Sequence, residues 1–220
     1  MVQRAPRAER LTLAGPAGGL EALVETPVAG EGSDFLAVSA FAVVCHPHPL
    51  YGGNLDNKVV HTLARAFNQL GAPAIRFNFR GVGTSAGTYD DGRGEIQDAL
   101  AVIAWGRQRW PQAALWLGGF SFGGSVAVWA AGEAVPARLV AVAPGITKIG
   151  VTGAAAPACP WLIVQGDADD VVPPEVVLAW TRTLNPAPEV AVLPGAGHFF
   201  HGRINDLRET VLAFMGTAGT

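Results

Sequence analysis

Short apolar runs alternate along the chain with longer segments whose apolar residues recur at helical spacing. The runs predict strands of a mostly parallel sheet, because strands buried on both faces are almost continuously apolar. The strand segments are residues 37–45, 74–79, 114–117, 139–143, 161–164 and 190–193. The helical segments are residues 56–70, 95–110, 126–131, 174–184 and 204–215. This alternation predicts one doubly wound α/β domain over residues 1–220, with helices on both faces of the sheet.

Two further strands are predicted near the start of the chain. Residues 9–13 and 20–25 flank a Gly-Pro-Ala-Gly-Gly turn, a spacing typical of an antiparallel pair, and a glycine-rich turn region follows at residues 27–34. With these two strands the sheet has about eight. In the first helix, Asp56 is predicted as the N-cap and Gly71 as the C-cap signal.

Composition and charge exclude several classes of protein. Half of the 220 residues are hydrophobic and the formal net charge is −3, which gives no electrostatic basis for binding nucleic acid or an anionic membrane. The first residues lack the apolar core of a signal peptide, and no apolar run is long enough to span a bilayer. These features predict a cytoplasmic protein. Cys45 and Cys159 are expected to be buried free thiols, and no metal-binding pattern is present.

A candidate nucleophile lies between a strand and a helix. Residues 119–123 read Gly-Phe-Ser-Phe-Gly, directly after the apolar run at residues 114–117 and before a helical segment. In a G-x-S-x-G nucleophile elbow the serine occupies a strained turn, and the two glycines let strand and helix backbones pass closely. Ser121 is therefore a candidate nucleophile.

Two later loops supply a carboxylate and an imidazole. Residues 165–173 contain Asp167, Asp169 and Asp170 after one strand, and residues 195–201 contain His198 and His201 after the next. A serine hydroxyl needs a base to remove its proton, and a carboxylate fixes the tautomer of the imidazole and stabilises its protonated form. The order Ser, Asp, His at the carboxyl ends of parallel strands matches that chemistry.

Taken together, the motifs resemble a known family. The stretches are CHPHPLYGGNLDNKVVHTLARAF, RFNFRGVGTSAG, GGFSFGG, GDADDVVPP and GAGHFF. They resemble serine hydrolases of the α/β-hydrolase superfamily, in a small lidless bacterial branch close to esterases and dienelactone-hydrolase-like enzymes. The resemblance implies Ser121 as nucleophile, Asp169 as acid and His198 as base. Asp167 and Asp170 remain alternatives for the acid, and His201, which is expected to open the last helix, is the alternative base.

The oxyanion hole needs two backbone N–H donors. Phe122, the residue after the nucleophile, is expected to supply one. Pro47 and Pro49 have no N–H, which leaves His48, Leu50 or Tyr51 in the loop after residue 45 for the other. The resemblance places this donor on His48.

Other residues have structural interpretations. The resemblance implies that Arg80, in a Phe-Arg-Gly-x-Gly turn, holds loops together rather than clamping a carboxylate of the substrate. Trp161, Phe199 and Phe200 are expected to pack in the core, with a pocket wall as the alternative. Only about fifteen residues separate the strands ending at Ala143 and starting at Trp161, which predicts an open cleft with no lid.

The resemblance and the three residue types together predict an enzyme. We expect hydrolysis of esters or thioesters of small acyl substrates through an acyl-enzyme, with no metal or organic cofactor and no membrane partner. Alternatives are amide cleavage, perhydrolysis or acyl transfer by the same residues, or a non-catalytic scaffold that binds a small ligand or partner.

Overall fold

The computed structural model describes residues 6–27, 38–147, 149 and 155–217. The strands in this part of the chain are β1 (Arg7–Gly15), β2 (Gly18–Thr26), β3 (Ala40–Cys45), β4 (Ala74–Phe77), β5 (Ala114–Phe120), β6 (Arg138–Val142), β7 (Trp161–Gly166) and β8 (Glu189–Leu193). The helices are α1 (Lys58–Gln69), α2 (Arg93–Arg109), α3 (Phe122–Ala134), α4 (Pro174–Thr181) and α5 (Ile204–Gly216). The predicted turn region at residues 27–34 lies almost wholly outside the described residues.

These strands form one sheet in the order β1-β2-β4-β3-β5-β6-β7-β8. The pairings β1–β2 and β2–β4 are antiparallel, and all later pairings are parallel. The predicted eight-stranded, mostly parallel sheet with an antiparallel opening pair is confirmed. Because β3 to β8 run in one direction, the loops that follow them lie along a single edge of the sheet.

Two hydrophobic layers cover the sheet. Helices α2, α3 and α4 pack on one face, where Ile103, Val126 and Trp180 join the core. Helices α1 and α5 pack on the other face through residues that include Leu63 and Val211. The helical spacing in the sequence predicted the buried side of α1 and of α5, since both helices bury the residues that recur at that spacing.

Two details differ from the sequence-based expectations. The N-cap of α1 is Asn57, whose Oδ1 accepts hydrogen bonds from the N–H groups of Val59 (2.9 Å) and Val60 (3.4 Å). Asp56 instead lies near the guanidinium group of the buried Arg76, at 3.4 Å. Helix α4 ends at Thr181 rather than Leu184, because the chain then forms a turn in which the N–H of Thr183 donates to the carbonyl oxygen of Trp180 (2.9 Å).

Both cysteines are free. Cys45 is fully buried in β3, and burial raises the pKa of its thiol. Cys159 is only half-buried, because it lies in the loop before β7, so the expectation of two buried thiols is correct for Cys45 alone. None of the helices in the described ranges has both the length and the hydropathy needed to cross a membrane.

Candidate active site

The three residues predicted from the loops meet at the carboxyl edge of the sheet. Ser121 directly follows β5, Asp169 follows β7 and His198 follows β8. This is where ligands bind in open α/β sheets, because the loops there are free to shape a cleft above fixed strand ends.

The turn that holds Ser121 is sterically tight. Ser121 has φ 55° and ψ −121°, a conformation that a non-glycine residue rarely adopts. A Cβ atom on Gly119 would lie 2.1 Å from the carbonyl oxygen of Gly123, and one on Gly123 would lie 2.3 Å from that of His46. The two glycines of the motif are therefore required for β5, α3 and the loop after β3 to pass this closely.

A continuous chain of hydrogen bonds joins the three side chains. The Nε2 atom of His198 lies 3.0 Å from the Oγ atom of Ser121, and its Nδ1 atom lies 2.8 Å from the Oδ2 atom of Asp169. Ser121 is 9% exposed, Asp169 5% and His198 4%, so little water competes for these contacts. A serine, an imidazole and a carboxylate in this arrangement have the geometry of a general-base-activated nucleophile.

Asp169 is the most fully bonded member of the group. Its Oδ1 atom accepts hydrogen bonds from the N–H groups of Val171 (2.9 Å) and Val172 (2.8 Å), and the Gln165 amide donates to Oδ2 (3.1 Å). Burial alone raises the pKa of Asp169, but the hydrogen bonds from His198, Val172 and Val171 outweigh it and lower the pKa below its usual value. The carboxylate is therefore held in its ionised form beside His198.

The structure does not bring the alternative residues into this group. The Oδ1 atom of Asp167 accepts a hydrogen bond from the N–H of Gly195 (2.6 Å), which ties the loop after β7 to the loop after β8. Asp170 and His201 are exposed. His201 does not open the last helix either, because a turn follows it and α5 begins only at Ile204.

The predicted oxyanion donors lie on two neighbouring loops. Phe122 is the first residue of α3, where backbone N–H groups have no acceptor within the helix. In the loop after β3, the N–H of Leu50 donates to the Nδ1 atom of His48 (3.2 Å), and the N–H of Tyr51 donates to the carbonyl oxygen of His48 (3.1 Å). These turn contacts disfavour Leu50 and Tyr51 as donors to a substrate.

Comparisons with known proteins identify the family of the chain. Residues 43–148 match the model of the alpha/beta hydrolase fold family. The structure of an alpha-beta serine hydrolase homologue from Coxiella burnetii is 44% identical, with a TM-score of 0.87, and the match covers 96% of this chain and 97% of that one. XC6422 from Xanthomonas campestris, an α/β serine hydrolase without a lid, is 40% identical over 97% of both chains, with a TM-score of 0.88. The chain belongs to the lidless α/β serine hydrolases.

A more distant relative shares the fold of this hydrolase. The dienelactone hydrolase from Anabaena variabilis is 14% identical, with a TM-score of 0.79, and the match covers 97% of this chain and 98% of that one. At this identity the likeness concerns the fold alone.

Three residues near the site of the hydrolase gave no functional signal in the sequence. Gln165 supports Asp169, and Tyr89 places its hydroxyl 3.2 Å from the Nε2 atom of His48. His46 is fully buried: its Nε2 atom accepts a hydrogen bond from the N–H of Phe79 (3.0 Å), and its Nδ1–H donates to the carbonyl oxygen of Pro47 (2.6 Å). The contact of Tyr89 with His48 and that of His46 with Phe79 join residues 41 and 33 positions apart, and such contacts become visible only once the loops are placed.

His46 links the loop after β3 to the loop after β4. Burial lowers the pKa of its imidazole to about 4, so His46 is neutral near pH 7. The N–H of Phe79 requires an unprotonated Nε2, which is consistent with the neutral form and assigns the single ring proton to Nδ1.

The expected structural role of Arg80 is confirmed. Its Nε and Nη2 atoms each donate to the carboxylate of Asp98 in α2, at 3.0 and 2.7 Å, and its backbone N–H donates to the same group. Trp161 and Phe200 lie in the core, as expected, whereas Phe199 is 47% exposed beside the ring of His198. Phe199 is thus the one of these three aromatic residues that is exposed beside His198.

Two further observations concern sites other than the one at Ser121. A cavity of about 340 Å³ lies near Cys159 and Glu189, at the amino-terminal ends of β7 and β8 and so at the sheet edge opposite Ser121. Within the described ranges, no three His, Cys, Asp or Glu side chains are grouped to hold a metal ion.

Proposed function

We propose that this hydrolase cleaves ester or thioester bonds of small acyl substrates through Ser121, His198 and Asp169. The observation that carries the proposal is the pair of hydrogen bonds on His198, 3.0 Å to Ser121 and 2.8 Å to Asp169. The lowered pKa of Asp169 supports it, because an ionised carboxylate stabilises the imidazolium that forms during the reaction.

The first half of the proposed reaction forms an acyl-enzyme. His198 Nε2 takes the proton of the Ser121 hydroxyl as Oγ attacks the substrate carbonyl carbon, and the carbonyl electron pair moves onto oxygen. The N–H groups of Phe122 and His48 stabilise this oxyanion. The tetrahedral intermediate then collapses, His198 passes the proton to the leaving alcohol or thiol, and Ser121 remains acylated.

The second half releases the acid. A water molecule takes the place of the alcohol or thiol, His198 removes one of its protons, and the hydroxide oxygen attacks the acyl carbon. Collapse of the second tetrahedral intermediate returns the proton to Ser121 Oγ and releases a carboxylic acid. Over the full cycle one ester and one water become one acid and one alcohol, so no oxidant, reductant or cofactor is consumed.

The proposal of a small uncharged acyl group rests on the surface around Ser121, His198 and Asp169. Leu50, two residues after His48, is strongly exposed, and Phe199, next to His198, is half-exposed. An apolar rim of this kind suits an uncharged acyl group.

The test is turnover of p-nitrophenyl acetate, butyrate and octanoate by the wild type and Ser121→Ala. We expect Ser121→Ala to lose at least about 10⁴-fold in kcat, because no other group replaces the nucleophile. Ser125→Ala is the matched control, since Ser125 lies one turn later in α3 with a fully buried hydroxyl. Its activity should stay within about twofold of wild type.

A fluorophosphonate probe separates the alternatives. Labelling of wild type but not of Ser121→Ala supports a nucleophilic serine, and a panel of butyryl thioester, anilide, alcohol acceptor and peroxide then distinguishes hydrolysis of esters from amide cleavage, acyl transfer and perhydrolysis. An unlabelled and inactive wild type would overturn the proposal in favour of a binding scaffold.

A further inference from the structure

The chain has two tyrosines, Tyr51 and Tyr89, and both rings lie on His48. The ring centroids are 4.7 Å from His48 for Tyr51 and 5.0 Å for Tyr89. Only Tyr89 also places its hydroxyl within hydrogen-bond distance of the His48 ring, at 3.2 Å from Nε2. Tyr51 is 80% exposed, whereas Tyr89 is half-buried.

The contact at the Nδ1 atom of His48 shows which partner donates the hydrogen bond between His48 and Tyr89. The N–H of Leu50 donates to the Nδ1 atom of His48, so Nδ1 carries no proton. In the neutral imidazole the proton is then on Nε2, which donates to the hydroxyl oxygen of Tyr89. His48 is therefore held at both nitrogens, by its own loop at Nδ1 and by Tyr89 at Nε2.

The backbone around Tyr89 is itself fixed. The carboxylate of the fully buried Glu95 accepts hydrogen bonds from the N–H groups of Asp90 (3.0 Å) and Gly92 (2.8 Å). Earlier in the same loop, Arg80 is bonded to Asp98 of α2. Tyr89 thus projects from a segment anchored on α2, a helix that packs against the sheet.

The Tyr89 ring also contacts the second proposed oxyanion residue. Its centroid lies 5.9 Å from that of Phe122, and the Phe122 ring lies 4.9 Å from His48. The two residues proposed to donate N–H groups to the oxyanion are therefore in mutual contact through their side chains, and Tyr89 touches both.

We propose that Tyr89 is a positioning residue that holds the His48 ring, and through it the His48 backbone N–H, in place for the oxyanion. This inference rests on the proposed function. A displacement of an oxyanion donor affects the transition state more than the bound substrate, so its loss lowers kcat rather than raising KM.

The test compares Tyr89→Phe with Tyr51→Phe, which removes the same phenol oxygen from the other ring on His48. For p-nitrophenyl butyrate we expect Tyr89→Phe to lower kcat about tenfold with KM unchanged, the effect of one lost positioning hydrogen bond. Tyr51→Phe should change kcat by less than about twofold. Equal effects of the two variants would overturn the inference.

A double-variant cycle shows whether Tyr89 acts through His48. In His48→Asn, the asparagine Oδ1 can accept the Leu50 N–H in the manner of an Asx turn, while the contact to Tyr89 is lost. Adding Tyr89→Phe to His48→Asn should then have almost no further effect on kcat. A further tenfold loss would show that the Tyr89 hydroxyl acts on the substrate directly and would overturn the positioning role.

The His48 tautomer provides a readout that does not depend on turnover. Long-range ¹H–¹⁵N NMR of the imidazole should show His48 with Nε2 protonated in wild type and in Tyr51→Phe, and a shifted Nε2 resonance in Tyr89→Phe. A protonated Nδ1 in wild type would overturn the inference. An inactive wild type that still shows the expected tautomer would count against the proposed function and leave the His48–Tyr89 contact standing.

Discussion

The two sides of the candidate site are built from different chemistry. On the acid–base side, formed by the loops after β7 and β8, an ionised Asp169 accepts hydrogen bonds from two backbone N–H groups, Gln165 and His198. On the oxyanion side, formed by the loops after β3 and β4, the contacts nearest the site are made by neutral rings. His46 binds the N–H of Phe79, and His48 binds Tyr89.

The difference predicts how each side responds to change. A buried carboxylate held by several donors interacts strongly with the imidazolium that forms during catalysis, so altering it should affect activity severely. Each contact of a neutral ring contributes less, so substitutions on the oxyanion side should lower activity by smaller amounts. Because His46 is buried in its neutral form, a fall in pH should lower the free energy of unfolding rather than alter the catalytic step.

The largest effect is expected on the acid–base side. In Asp169→Asn the side chain remains similar in shape but loses its charge and can no longer enforce the tautomer of His198. We expect kcat for p-nitrophenyl butyrate to fall by about 10³ to 10⁴, the size seen for such substitutions in serine hydrolases. Circular dichroism should show that the variant is folded.

Asp170→Asn is the matched control for that experiment, because Asp170 is the adjacent, exposed carboxylate. It should retain activity within about twofold of wild type. A comparable loss in Asp170→Asn would contradict the assignment of Asp169 as the acid.

Much of this arrangement could be predicted from the sequence, for physical reasons that differ between the two sides. Ser121, Asp169 and His198 each follow an apolar strand. Parallel strands bring the residues at their carboxyl ends to one edge of the sheet, whatever the conformation of the loops. The oxyanion side depends instead on which nitrogen of His48 faces which neighbour. That choice is made by Leu50 and by Tyr89, which is 41 residues away, and no spacing rule encodes it.

The same limit explains the local errors. The side chains of Asp56 and Asn57 can both cap a helix, and the contact of Asp56 with Arg76, an arginine of β4, is invisible in the sequence. The sequence predicts His201 at the start of α5, but residues 201–203 form a turn and the helix begins at Ile204.

The next largest effect is expected at His46, on the oxyanion side, and it concerns the free energy of unfolding. Burial lowers the pKa of His46 to about 4 in the folded protein, against an ordinary value of 6.5, so between these values the unfolded chain binds more protons. The contribution of His46 to the free energy of unfolding should therefore be greatest above pH 6.5 and decrease as pH falls toward 4, by about 2 kcal/mol between pH 7 and pH 5. Urea unfolding at the two pH values measures this.

His46→Gln is the comparison that isolates the effect. Glutamine can still accept the N–H of Phe79 but does not titrate, so the variant should lose about 2 kcal/mol less between pH 7 and pH 5 than wild type does. His61, whose pKa burial also lowers, contributes equally to both proteins. The same loss of stability in the variant as in wild type would show that His46 does not set the acid sensitivity.

The smallest effect is expected at Phe199, where the acid–base side meets solvent. Its ring lies 5.1 Å from that of His198 and 6.1 Å from that of Phe120, and 47% of the residue is exposed. A long acyl chain that covers this exposed surface gains roughly 1 kcal/mol, at about 25 cal/mol per Å² over some 40 Å². Phe199→Ala should then lower kcat/KM about fivefold for p-nitrophenyl octanoate and less than twofold for the acetate.

Val192→Ala is the control for the Phe199 variant, because Val192 is similarly exposed (41%) on β8 but precedes the loop that carries His198. It should leave the ratio of octanoate to acetate activity unchanged. An equal loss on acetate and octanoate in Phe199→Ala would mean that the ring acts by packing His198 rather than by contacting the acyl chain. The aromatic contacts of the acid–base side would then support the catalytic base, just as the rings around His48 support the oxyanion loop.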